Sequence, residues 1–435
     1  MAKKNDLEHT STMLGNQDMK GSQRMVSVVE PYELPEGWKW ISIGECCEKA
    51  FSGKSPKYSK EETPYKIIGQ QANQRYGIDL KFVKFGTQEY AEAQADFYYL
   101  QYNDVILNTL GTGSIGRSGI YKYHEKILTD GHPFVFRTGT KYSPDLLFYY
   151  LRLNEQEIIN TANGSTNQKF LSLKTFSKFP IPLPPTFAEQ QRIVNRIESM
   201  FAKLDEAKEK AQNVVDGFET RKAAILHKAF TGKLTEKWRK ENGVSDDSWV
   251  EKRFDEVAEI KSNLVDIAEY QDFPHIAPDN IEKKTGVLLE YHTVAEDKVT
   301  SGKHRFYAGQ ILYSKIRPYL SKVIIVNFDG VCSADMYPIE AKGNTRFLWY
   351  QMLSNEFLDK ASNSGSRSVL PKINQKELSV IPMQICSLPE QVEIVRILDI
   401  IIEKENKAKQ AAETVLEQID LLKKSILARA FRGEL

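Results

Sequence analysis

Ala229-Phe230-Thr231-Gly232-Lys233-Leu234 returns 201 residues later as Ala430-Phe431-Arg432-Gly433-Glu434-Leu435. Upstream of it, Glu189-Gln190 returns as Glu390-Gln391 at the same offset. Between these marks the register holds without a gap, setting Ile193 against Ile394, Val214 against Val415, and Ile225-Leu226 against Ile426-Leu427. Chance does not keep one offset over so long a stretch, so the chain carries an internal duplication. Weaker echoes precede it. Asn163-Gly164-Ser165 answers Ser364-Gly365-Ser366 at the same offset, Asp104–Leu107 answers Gly309–Leu312 at 205, and the Trp38 region answers Trp249 at 211. The drift places insertions in the front part of each copy. Each copy is therefore a variable domain followed by a more constant helical segment.

The helical segments carry apolar residues at alternating steps of four and three: Ile193, Ile197, Met200, Leu204, Ala207, Ala211, Val214, Phe218 and Ile225 in the first copy. The second copy has Ile394, Leu398, Ile401, Ala408, Ala412, Val415, Ile419, Leu422 and Ile426. Sustained a/d heptads of this kind predict a coiled coil. Glu405 is the one break, standing where the first copy has Leu204; it reads as a register or partner device, or as a solvent-facing residue. A helix of about 40 residues is about 60 Å long at 1.5 Å per residue. Neither helix can bury its stripe alone, so the two are expected to pair, in antiparallel sense. The expected fold is α+β: two β-rich domains, each followed by a long α-helix, the helices pairing as an antiparallel coiled coil, with pseudo-twofold internal repetition.

The variable domains contain short β-rich runs such as Asp104–Leu107, Pro133–Arg137 and Val323–Asn327, split by Gly, Asn and Asp. Helices are predicted at Ser143–Asn154 and Thr345–Asn355, each followed by a Gly-Ser loop and a proline-rich exit. Proline there stiffens the junction and sets where the long helix begins. The predicted division is a mobile tail over 1–30, a first domain over 31–186 and a helical spacer over 187–232. A linker over 233–248, a second domain over 249–388 and a second helical spacer over 389–435 follow.

A chain of 435 residues is too long for one ordinary core, and 41% hydrophobic residues suffice for folded domains. No apolar run long enough to span a membrane is present. Lys3 and Lys4 lack a following apolar region, which argues against secretion. Cys46, Cys47, Cys332 and Cys386 show no zinc spacing, and the adjacent pair reads as buried thiols in a reduced, cytoplasmic protein. Net charge is only +1, but the stretches from Asp297 to Asp329 and from Asp359 to Glu377 contain no acidic residue between their ends and several Lys and Arg. Such stretches suit either a phosphate-contacting surface or a solvated face.

Proline-rich exit, Glu-Gln, then a long helix closing on Ala-Phe-x-Gly-x-Leu, twice in one chain, resembles the type I restriction-modification specificity subunits. The features here are Pro184-Pro185 with Glu189-Gln190-Gln191, and Leu388-Pro389 with Glu390-Gln391. Leu34-Pro35-Glu36-Gly37-Trp38 and Lys315-Ile316-Arg317-Pro318-Tyr319-Leu320 are similar to family stretches as well. The resemblance covers about residues 31–435. It implies a non-catalytic subunit whose two target-recognition domains each read one half of a split, asymmetric double-stranded DNA site, while the helices set the unread gap. It further implies two adenine methyltransferase (modification) subunits docking on the helices, and restriction subunits joining that assembly.

Candidate DNA contacts follow from side-chain chemistry, since Gln and Asn bond adenine bidentately and Arg does so with guanine. In the first domain they are Gln70, Gln71, Asn73 and Arg75, with Arg117 after the glycine loop and Lys169 after Gly164-Ser165. In the second they are Lys303, Arg305, Lys315, Arg317, Tyr319, Arg367 and Lys372. For each one, a surface charge or salt bridge is the competing role.

Two motifs imitate enzymes. Gly111-Thr112-Gly113-Ser114-Ile115-Gly116 fits GxGxxG, but a dinucleotide fold needs a helix next, and Ser118–Tyr121 reads as a strand. Pro278-Asp279 with Glu282-Lys283-Lys284 imitates a nuclease signature, with too short a gap to set the two acids around a metal. No methyltransferase motif or metal-spaced histidine pair is present, so no cofactor and no catalysis are expected. A coiled-coil scaffold without DNA recognition is the rival reading; the basic stretches and duplicated β-rich domains disfavour it.

Overall fold

The computed structural model describes residues 31–435 except Thr112, 165–168 and 364–370. The tail over 1–30 and Arg367 lie outside the described residues. The chain divides into two units. One extends to Leu204 and takes in Asp420–Leu435; the other is Asp205–Ile419.

The duplication is visible strand by strand. In the first unit Phe134–Arg137 pairs antiparallel with Lys49–Ser52 on one side and with Val105–Leu107 on the other, and Ser118–Ile120 completes a four-stranded sheet. In the second unit Met336–Ala341 stands between Ala258–Ile260 and Ile311–Ser314, with Val323–Ile325 outermost, in the same order. The runs expected at Asp104–Leu107, Pro133–Arg137 and Val323–Asn327 are these strands. Ser118–Ile120 is likewise a strand, so the glycine loop before it joins two strands instead of opening a helix. Each unit adds a second, mixed sheet: Lys66–Ile68 lies between Lys84–Phe85 and Leu128–Thr129 in the first, and a five-stranded sheet includes Lys303–Phe306 in the second.

Entry and exit of each domain are stitched together. Lys39–Ser42 pairs antiparallel with Pro180–Leu183, and Val250–Arg253 with Pro382–Ile385. The proline-rich exits are thus strands of two-stranded ribbons, a place where a missing N–H costs no central ladder bond. The helix expected from Ser143 is Pro144–Leu153, capped by the Ser143 hydroxyl; its counterpart Thr345–Met352 is capped by Asn344. Gln190 Oε1 accepts from Ser143 N at 2.7 Å, and Gln391 Oε1 accepts from Asn344 N at 3.1 Å. The repeated glutamine therefore ties the start of each long helix to the cap of each domain helix.

The second long helix runs unbroken over Leu388–Phe431. The first is divided at Gly217 into Phe187–Asp216 and Phe218–Phe230. Glycine is a weak helix former, and here Arg221 Nη2 reaches back to Val214 O at 2.9 Å. Within the first unit, Arg192 donates to Leu435 O and Lys423 Nζ stands 5.1 Å from the Phe201 ring centre. Ile193 and Ile197 share one core with Ile426, Leu427 and Phe431. Within the second unit, Arg221 pairs with Glu405, Lys409 stands over Phe218, and Leu226 shares a core with Leu398. In each unit the numbering rises along one helix as it falls along the other, so the segments run antiparallel. Ala211, Phe218, Ala412 and Ile419 are buried, while Val415 and Leu422 stay 40% and 46% exposed. The stripe is therefore only partly covered.

Residues 233–248 read as a polar linker, but they fold into the helix Glu236–Asn242. Its Arg239 is buried and reaches Glu390 Oε1 at 2.7 Å. A buried acid at the start of the second long helix supplies the partner that makes this segment adhere.

Candidate nucleic-acid interface

The loop between the third and fourth strands of each four-stranded sheet is held by the same hydrogen bonds. In the first unit Asn108 N donates to Arg117 O at 2.9 Å and Leu171 N to Thr109 O at 3.0 Å. In the second, Ser314 N donates to Lys322 O at 3.0 Å and Ile373 N to Lys315 O at 2.9 Å. Leu110 bridges Phe170, and Ile316 bridges Lys372. Residues 108–117 and 315–322 are therefore equivalent loops, each laid against the segment that follows a Gly-Ser loop.

Three of the candidate residues of the first unit build this loop. Gln70 Oε1 accepts from Thr109 N and Leu110 N at 2.7 and 2.8 Å. Asn73 is buried, and its Nδ2 donates to Asn108 Oδ1 and Arg117 O. Arg117 donates to Asn73 O at 3.2 Å and Gly113 O at 2.8 Å. Gln70 and Asn73 thus present their amides inward, to the backbone of the loop. Gln71 is exposed beside them, Lys169 is half-buried next to Phe170, and Arg75 forms a two-pronged pair with Glu155 at 3.1 and 3.2 Å. Arg75 and Arg117 both line a cleft of about 450 Å³. Lys122, Arg152, Tyr76 and Tyr123 line it too, and none of these four stood out in the sequence. Lys122 and Arg152 lie outside the acid-free runs, so no charge pattern marked them.

In the second unit Lys315, Arg317, Tyr319 and Lys372 come together on the equivalent loop and its neighbouring segment. Arg317 and Tyr319 are exposed. Lys372 pairs with Asp335 at 3.2 Å, and Lys315 Nζ stands 5.4 Å from the Tyr337 ring. Lys303 and Arg305 sit elsewhere, on the strand Lys303–Phe306 of the five-stranded sheet. Lys303 is buried, its Nζ held by Ser301, and burial depresses its basicity. Arg305 is enclosed by Tyr270, Phe273 and Tyr307, with ring centres 4.8 to 5.9 Å from its guanidinium carbon. Packing, rather than solvent, surrounds these two cations.

The imitation nuclease signature is part of the scaffold: Pro278–Asn280 is a short 3-10 turn, and Lys322 Nζ donates to Pro278 O at 2.7 Å. The four cysteines are buried free thiols; the hydrogen bond with Cys47, and then burial, push the Cys46 thiol far up, which leaves it unreactive. No helix among the described residues is long and apolar enough to cross a membrane.

The family model of the type I restriction modification DNA specificity domain matches residues 35–215 and again residues 246–418. The chain belongs to the type I restriction-modification DNA specificity family. Among relatives of this family, the EcoDI specificity subunit of Escherichia coli is 34% identical over 425 residues, covering 93% of this chain and 90% of that one. The EcoKI specificity subunit of Escherichia coli strain K12 is 24% identical over 306 residues, covering 64% and 62%. The solved structure of the HsdS subunit from Thermoanaerobacter tengcongensis shares the fold, with a TM-score of 0.64 at 18% identity over 93% of this chain and 99% of that chain. The specificity-domain match falls on both copies, so the duplicated loops and strands described above are a feature of two family domains in one chain.

Proposed function

We propose that the chain is the DNA-reading subunit of a type I restriction-modification complex and performs no chemistry itself. Each domain addresses one half of a split, asymmetric duplex target. The observation that carries this reading is the pair of equivalent loops, 108–117 and 315–322, held by matching hydrogen bonds and fringed by different side chains. One scaffold with two dissimilar sets of contacts is what two unlike half-sites require. Half-sites about one helical turn, roughly 34–36 Å, apart need a rigid spacer. The long helices, packed antiparallel over part of their length, serve as that spacer.

The exposed apolar residues Val415, Leu421 and Leu422 on the second long helix suit docking of partner protein. Two modification subunits bind there in this reading, restriction subunits join them, and the complex works in the cytoplasm. From the side chains, Gln71, Arg75, Arg117 and Lys169 serve the first half-site, and Lys315, Arg317, Tyr319, Arg367 and Lys372 the second. Gln70 and Asn73 act by shaping the loop. Lys303 and Arg305 serve the second domain chiefly from within its packing.

Sequencing the methylated bases of a host with and without this chain tests the proposal. A bipartite motif, methylated only when the chain is present, is the expected result. Unchanged methylation in a host that retains its modification subunit would instead favour a scaffold without DNA recognition.

A further inference from the structure

We infer that Tyr319 is a wedge that unstacks one base step in the half-site addressed by the second unit. The inference rests on the DNA-reading function proposed above. Tyr319 is the middle residue of the turn Pro318–Leu320. The turn is bracketed by two non-glycine residues in the left-handed region, Arg317 at φ 48° and Ser321 at φ 46°. Side chains disfavour that region, and a residue before proline is further restricted. Such backbone persists only where its surroundings over-determine it.

The surroundings do so from several directions. Arg317 N donates to Pro371 O at 2.8 Å, Leu320 N to Arg317 O at 2.8 Å, and Ser321 N to Pro318 O at 2.9 Å. Lys284 N donates to both Leu320 O and Ser321 O at 3.2 Å. Lys284 O in turn accepts from Nζ of the buried Lys222, on the long helix, at 2.7 Å. Pro318 and Ser321 are buried at the base of the turn. The backbone around Tyr319 is tied down, yet Tyr319 itself is 47% exposed. Among the described residues, neither the Tyr319 hydroxyl nor the Arg317 guanidinium has a hydrogen-bond partner.

A flat ring on a rigid turn, with a free guanidinium beside it, suits insertion between stacked bases while the cation holds the flanking phosphate. Strain then has a purpose: it removes the freedom the ring would otherwise lose on insertion. The equivalent loop of the first unit has no such ring. It is Asn108-Thr109-Leu110-Gly111-Thr112-Gly113-Ser114-Ile115-Gly116-Arg117, with no aromatic residue and with Arg117 folded onto Asn73 and Gly113. The wedge therefore belongs to the half-site addressed by the second unit.

The test uses the full chain assembled with its modification subunit and duplexes carrying 2-aminopurine or pyrrolocytosine at successive positions of both half-sites, leaving out the adenine that each modification subunit would extrude for methylation. Fluorescence is expected to rise several-fold at one step of the second unit's half-site and at none in the other. Tyr319→Phe retains the rise, because the ring remains; Tyr319→Ala loses it. Specific binding with no bright step, or a bright step that survives Tyr319→Ala, overturns the wedge and leaves the reading function standing. If affinity is indifferent to the sequence of both half-sites, the reading function itself falls and the wedge falls with it. Arg317→Ala in the same assay separates loss of phosphate contact, which lowers affinity, from loss of unstacking.

Discussion

Arg221 Nε donates to Glu405 Oε2 at 2.8 Å, joining the two long helices within the second unit. Glu405 is the single residue that breaks the apolar heptads of the second helix, and the break has a partner. Arg221 also holds Val214 O just before the interruption at Gly217. Both side chains remain partly exposed, so the pair itself is weak. A double-mutant cycle with Arg221→Ala and Glu405→Ala, read by denaturant unfolding, should give a coupling of about 0.2–1 kcal/mol that shrinks with salt. Glu405→Leu should leave stability equal or raise it, because an apolar residue restores the heptad. A large loss on Glu405→Leu would mean that the charge does more than set register.

Glu390 gives the opposite expectation. It is fully buried, and accepts from Thr235 Oγ1 at 2.6 Å, Arg239 Nη1 at 2.7 Å and Trp249 Nε1 at 3.1 Å. Glu390→Ala leaves the buried Arg239 with Asp246 as its remaining acidic partner and should cost about 1.5–3 kcal/mol. Its counterpart Glu189 pairs with Arg192 on the surface of the first unit, and Glu189→Ala should cost less than about 1 kcal/mol. Urea unfolding of the two variants checks the asymmetry; equal losses would show that the Arg239 contact carries little.

His304 makes stability sensitive to acid. Burial, and then the charge of Lys315, holds its imidazole below the ordinary 6.5. The unfolded chain thus binds this proton more readily than the folded one. The stability present above pH 6.5 is lost as pH falls through the lowered folded-state value. His304→Gln should flatten that part of the curve in thermal melts between neutral and mildly acid pH. An unchanged acid slope would place the sensitivity elsewhere.

Arg317→Ala, which loses the phosphate contact beside Tyr319, should weaken binding about equally for all sequences of its half-site and reduce the salt slope by about 1. Gln70→Ala frees Thr109 N and Leu110 N, and should blur the other half-site. Affinity series on duplexes altered in one half at a time separate the two effects. Blurring of both halves by Gln70→Ala would contradict one reading head per half-site.

The duplication, the long helices and several strands of the four-stranded sheets were legible because periodicity and repeated register speak directly about backbone. The helices predicted at Ser143–Asn154 and Thr345–Asn355 form over Pro144–Leu153 and Thr345–Met352. The second, mixed sheets were not legible, since strands of two to four residues pair there across long separations. Lys303 shows why single side chains resisted reading: a lysine in an acid-free run looks solvent-facing, but here it is buried with its Nζ on Ser301. Asn73 and Gln70 carry the right groups for adenine, yet the backbone of loop 108–117 reaches them first. Lys122 and Arg152 join the cleft only through tertiary folding, and no spacing in the chain could assign them. The segment 233–248 looked like a linker because its adhesion depends on Glu390, some 150 residues away.

The most direct measurement is the affinity of the chain, assembled with its modification subunit, for its bipartite duplex across a range of salt concentrations. The log of the binding constant should fall linearly and steeply with log salt, as phosphate contacts require. At fixed salt, altering either half alone should weaken binding. Affinity that ignores both salt and the sequence of either half would contradict the account.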